Sequence, residues 1–138
     1  MKRTATKIAV LFRYRKNFFH EHKNLKGGIF LYTVEEIRQK IIPIAKAYHL
    51  KAVWLFGSYA RGEATESSDI DLLFDRKDSD ITSLVKASSM YQDIKEVFDV
   101  PVDLVSANAL RITDSSRMTN FNFMKNIERD KIILYERI

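Results

Sequence analysis

The chain has 138 residues, 46% hydrophobic and 30% charged, which suits one soluble globular domain with a sizeable core. It has no cysteine, which excludes structural disulfides and thiolate zinc sites, and no apolar run approaches a membrane span, so a cytoplasmic setting is expected. The net charge of +5 is uneven: residues 1–30 carry eight Lys/Arg against Glu21 alone, while the remaining 108 carry 15 basic and 17 acidic groups.

Residues 1–30 form a basic N-terminal extension with Phe12, Tyr14, Phe18 and Phe19 and no clean period. The apolar stretch at 8–12 is too short for a signal-peptide core, and no small-residue cleavage site follows. Cations interleaved with aromatics suit a nucleic-acid-binding arm, and the high pI argues for nucleic acid in this arm alone. The same composition suits a disordered extension. A translated leader is a further reading. Lys26-Gly27-Gly28 can be encoded by a Shine–Dalgarno-like stretch a short spacer ahead of Leu31, which TTG can encode as a start. Arg15 and His20 match a loose Arg-x4-His pattern of HEPN-family RNases, but this short arm cannot supply the helical bundle such a site needs, and the match is read as coincidence.

From residue 31 the pattern is regular. Thr33-x-x-Glu36 reads as a capping box opening an amphipathic helix, with Val34, Ile37, Ile41, Ile44, Ala45 and Tyr48 on its apolar face. Pro43 should kink or loosen it. The run Ala52-Val53-Trp54-Leu55-Phe56 is expected as a strand buried on both faces. A Gly57-Ser58 turn follows, then a strand over 69–75 and a polar turn over 75–79. A second helix, capped by Ser79 or Asp80, should bury Ile81, Leu84, Val85, Tyr91, Ile94, Val97 and Phe98. A third strand lies near 101–105, with Pro101 at its start. The segment 109–117 is polar and irregular, and a helix near 118–129 and a strand near 131–135 close the chain. This order predicts an α/β (α+β) domain with its site at the strand ends.

Three features in that order carry chemistry. Gly57-Ser58 can offer backbone N–H groups and a hydroxyl to a triphosphate, with Arg61 adding a planar fork of donors. After the ten residues that follow Ser58 comes Asp69-Ile70-Asp71; on one strand its two carboxylates share a face and can reach one Mg²⁺, or two closely spaced ions. Asp103 interrupts the apolar run Val102-Asp103-Leu104-Val105, where a lone acid is costly to bury unless paired or metal-bound. Taken singly each is ordinary: a strand's polar face, a common turn, an acid turned to water. Strand, turn, Asp-x-Asp strand and later Asp strand in sequence point instead to nucleotidyl transfer. His20, His22 and His49 lie away from the acidic motif, and a zinc hydrolase is not expected.

The stretch Gly57-Ser58-Tyr59-Ala60-Arg61-Gly62, followed by Ser68-Asp69-Ile70-Asp71-Leu72, resembles the signature of the DNA polymerase β-like nucleotidyltransferase superfamily. More narrowly it resembles the minimal nucleotidyltransferases (MNT), small bacterial and archaeal proteins often paired with HEPN-family RNase toxins. The resemblance covers roughly residues 33–138, and every motif residue is present. It implies a nucleotidyltransferase fold, a small mixed sheet flanked by helices, with ATP as substrate and Mg²⁺ as cofactor. It further implies that Asp69, Asp71 and Asp103 are the metal ligands and catalytic carboxylates, and that Gly57, Ser58 and Arg61 bind the nucleotide. In characterised members the antitoxin transfers AMP to a tyrosine of its cognate toxin, so a hetero-oligomer with a HEPN toxin is expected. Two alternatives remain. One is a small-molecule acceptor, as in aminoglycoside-modifying relatives, which usually carry a further domain for the drug. The other is a non-catalytic antitoxin that masks its toxin by binding.

Overall fold

The computed structural model describes residues 31–112 and 118–138. The expectations for residues 1–30, and for 113–117 of the irregular segment, lie outside the described residues. Helix α1 (Val34–Ala47) opens with the expected capping box. Glu36 N–H donates to Thr33 Oγ1 (3.1 Å) and Thr33 N–H to Glu36 Oε2 (2.8 Å), satisfying two backbone donors at the helix start. The helix runs through Pro43 and buries Ile37, Ile41, Ile44 and Ala45.

Strands β1 (Ala52–Phe56), β2 (Ile70–Asp75), β3 (Val102–Ser106) and β4 (Ile132–Glu136) form one mixed sheet in the order β3-β2-β1-β4. β1 is antiparallel to both neighbours, and β2 is parallel to β3. Because strand side chains alternate in direction, the sheet separates two cores. Val53, Leu55, Ile70, Leu72, Phe74 and Val102 pack with α1 and with Met90 and Ile94 of α3 (Leu84–Glu96). Phe56, Leu73, Ala107 and Ile127 form a smaller cluster on the other face, under α4 (Ala107–Ile112) and α5 (Met118–Asp130). The remaining element, α2 (Gly57–Arg61), follows β1 directly.

Four expectations need correction. The second helix starts at Leu84, because Ser83 caps it by accepting from Lys86 N–H (3.2 Å). Ser79 instead accepts from Ile81 N–H within a turn, and Asp80 pairs with His49 (2.8 Å). Leu84 and Val85, expected on the buried stripe, stand 84% and 76% exposed, while Met90 carries the burial. Residues 109–112, expected to be irregular, belong to a helix over 107–112: Ala107 is buried in the smaller cluster, and Ser106 Oγ accepts from Ala109 N–H (3.4 Å) at the helix start. Finally, Gly57-Ser58 begins a short helix, with the turn confined to the left-handed Gly57 (φ +72°). The strands and the last helix fall within a residue of expectation, while the second helix ends at Glu96, two residues before the expected Phe98.

Candidate active site

The parallel register of β2 and β3 sets Asp71 directly opposite Asp103. Across the antiparallel pair, Asp71 faces Phe56, the last residue of β1. These positions lie on the sheet face of the smaller cluster, at the end where β1 stops and β2 and β3 begin. Gly57 follows Phe56 with φ +72°, and a Cβ there would lie 2.2 Å from Asp71 Oδ2. Only glycine lets the chain turn so tightly while the carboxylate occupies that space.

Gly57, Arg61, Asp71 and Asp103 line one cavity of about 440 Å³, within the roughly 300–1,000 Å³ common for small-molecule sites. Its apolar walls come from Phe56, Tyr91, Leu104, Val105, Phe123 and Ile127. Phe123 meets Phe56 edge to face, ring centroids 6.1 Å apart. Tyr91 donates its hydroxyl to the Val102 carbonyl (3.3 Å), the residue before Asp103. Asn126 and Asp130 add polar groups from α5. Of the six expected site residues, four are thus brought together. Ser58 and the exposed Asp69 lie outside the cavity wall.

Asp71 is pushed up from 3.8 to about 6. Burial is the largest cause, the negative charges of Asp103 and Asp69 add to it, and Arg61 pulls the other way. Asp69 therefore acts on the same carboxylate although it stands just before β2. Among the described residues no three acidic or imidazole groups form a ready metal cage. Mg²⁺ does not need one: it is typically held by one or two carboxylates, with substrate phosphates and water completing the octahedron. An adjacent pair of carboxylates, one destabilised in its ionised form by like charge, fits such an ion.

Arg61 is fixed at the rim of the cavity. Its Nε donates to Glu63 (2.9 Å) and its Nη1 to Asp130 at the end of α5 (3.2 Å). No sequence motif marks Phe123, Asn126 and Asp130, which recur at spacings of three and four on α5 and so share one helix face. That periodicity was the available signal. Tyr91 was read only as part of an apolar stripe.

Residues 39–137 match the family model described as polymerase beta, nucleotidyltransferase. The chain belongs to this nucleotidyltransferase family. Among its relatives, a candidate protein adenylyltransferase of Methanocaldococcus jannaschii is 33% identical over 75% of this chain and 97% of its own length. The protein adenylyltransferase MntA of Thermococcus cleftensis is 32% identical over 57% of this chain and 82% of its own. A chain in a toxin–antitoxin crystal structure with AMP-PNP superposes with a TM-score of 0.53 at 25% identity, covering 72% of this chain and 73% of that one. A chain in the complex of tri-AMPylated Shewanella oneidensis HEPN toxin with MNT antitoxin shares the fold, with a TM-score of 0.50 at 20% identity, covering 76% and 74%.

Proposed function

We propose that the chain is an Mg²⁺-dependent protein adenylyltransferase that moves AMP from ATP to a tyrosine hydroxyl of a HEPN-type RNase toxin, and so acts as its antitoxin. The observation that carries this reading is the register pairing of Asp71 with Asp103 in the cavity lined by Gly57 and Arg61. The relatives named protein adenylyltransferases, and the toxin–antitoxin neighbour with AMP-PNP, support the protein acceptor and ATP.

In this reading Asp69, Asp71 and Asp103 would hold the metal. Bound Mg²⁺ would supply the positive charge that gathers the triphosphate oxygens and offsets the charge on the transferred group. Backbone N–H groups at Gly57 and Ser58 grip the triphosphate. Arg61 stabilises charge developing on it. Asp103, exposed at the sheet edge, accepts the proton of the incoming hydroxyl. The tyrosine oxygen then forms its bond to the α-phosphorus as pyrophosphate leaves. The protein works in the cytoplasm as part of a hetero-oligomer with its toxin. No helix among the described residues is long and apolar enough to cross a membrane.

Incubation with labelled ATP, Mg²⁺ and the product of the neighbouring gene, the expected RNase, tests this reading. Label on a tyrosine of the RNase supports it; label on a small molecule, or tight binding without label, overturns it.

A further inference from the structure

Among the described residues Arg61 is the one cation lining the cavity, on a helix of only five residues that has little capacity to fix a long side chain. Its placement is decided from outside α2. Asp130, the last residue of α5, bonds it across 69 positions of sequence. The Asp130 carboxylate is itself held twice by Arg129, Oδ1 from Nε (2.8 Å) and Oδ2 from Nη2 (3.3 Å). Although it sits at the protein surface, its side chain is only 9% exposed beneath these arginines. Those bonds, Arg129's first and then Arg61's, hold the Asp130 carboxyl below the ordinary carboxylate range, so it stays ionised at neutral pH. Glu63, which takes Arg61 Nε, is 65% exposed and only two residues away, a weaker constraint.

We infer that Asp130 is a positioning residue for nucleotidyl transfer: it fixes Arg61 at the cavity rim, leaving the rest of the guanidinium to meet the triphosphate. The inference rests on the function proposed above. The two bonds use Nε and one N–H of Nη1, so three of the five guanidinium N–H groups lie outside them. A guanidinium held at two points has already lost much of its rotamer freedom, and a donor fixed in advance costs less ordering when charge develops on the phosphates. The same bond ties α5, which supplies the Phe123 and Ile127 wall, to the turn that supplies Gly57, so wall and donor keep one spacing.

The test is a double-mutant cycle on the transfer reaction with Mg²⁺-ATP and the product of the neighbouring gene, the expected RNase. Asp130→Asn should lower kcat about tenfold, the scale of one charge-assisted hydrogen bond. KM for ATP and the melting temperature should stay near wild type, and Asp130→Glu should regain at least half of the lost kcat. In an Arg61→Gln background, Asp130→Asn should cost nothing further, because both changes remove one function. A wild-type chain that transfers no AMP would overturn the reading of the site, and the positioning role with it. A wild-type chain that transfers, with Asp130→Asn costing the same in both Arg61 backgrounds or acting only through lower stability, would overturn the positioning role alone.

Discussion

Gly57 and Asp71 share a space that admits only one side chain: a Cβ on Gly57 would lie 2.2 Å from Asp71 Oδ2. The turn that ends β1 and the carboxylate that faces it are therefore one unit. Gly57→Ala meets two penalties, the left-handed φ of +72° and the displacement of the Asp71 carboxylate. The backbone penalty is about 1 kcal/mol. The carboxylate can rotate away, so the fold should survive with a modestly lower melting temperature while nucleotidyl transfer falls at least 100-fold, about 2.7 kcal/mol of barrier. A variant that keeps wild-type kcat would show that the close approach has no role in catalysis.

Asp71→Asn should abolish transfer and stabilise the metal-free protein at neutral pH. The folded-state value of Asp71, about 6, lies above its ordinary 3.8. Between those values the folded chain binds more protons than the unfolded one, so this group lowers stability progressively as pH rises through the window. Above about 6 the full penalty of a buried, like-charged carboxylate is present, and asparagine relieves it. Urea melts above and below the window check the sign: the variant's advantage should be largest above it and vanish below 3.8. A variant less stable than wild type at neutral pH would contradict the electrostatic account of Asp71.

Asp103→Ala separates a ligand from a structural acid. Asp103 is exposed and its carboxylate repels that of Asp71, so its loss should leave metal-free stability unchanged or slightly raised. Transfer should fall strongly. Saturating Mg²⁺-ATP should raise the melting temperature of wild type by an amount equivalent to about 2.7 kcal/mol at a hundredfold excess over Kd, and that of the variant much less. Normal transfer with a large loss of metal-free stability would assign Asp103 a structural role.

The domain should tolerate removal of residues 1–30 but not of Tyr32. The Tyr32 ring is buried edge to face on Phe98 (5.4 Å), and its hydroxyl accepts from Asp99 N–H (3.2 Å). A chain beginning at Leu31 should melt within about 3 °C of the full chain and retain transfer, since ~1 kcal/mol shifts a domain of this size by a few degrees. Tyr32→Ala should cost about 3 kcal/mol. Unfolding or inactivity of the shortened chain would make residues 1–30 part of the domain.

The capping box at Thr33, the apolar run at 52–56 and the acids at 69, 71 and 103 were legible because each depends on local chemistry or a short period. The pairing of Asp71 with Asp103 was expected only through the family resemblance, because it is set by the register of two strands far apart in sequence. The start of α3 was misplaced because Ser79, Asp80 and Ser83 are all competent caps: Ser79 is taken by Ile81 N–H in a local turn and Asp80 by the distant His49, leaving Ser83 to cap. Arg61 was legible as a cation just after the Gly57-Ser58 turn. Its dependence on Asp130 was not, since the two come from α2 and the end of α5.

The most direct measurement is mass spectrometry of the product of the neighbouring gene, the expected RNase, after incubation with this protein, ATP and Mg²⁺, in parallel with the Asp71→Asn variant. Wild type should add AMP to a tyrosine of the RNase and silence it, while the variant adds none and leaves the RNase active. An RNase silenced equally by both proteins, with no AMP attached, would mean that the chain neutralises its partner by binding alone.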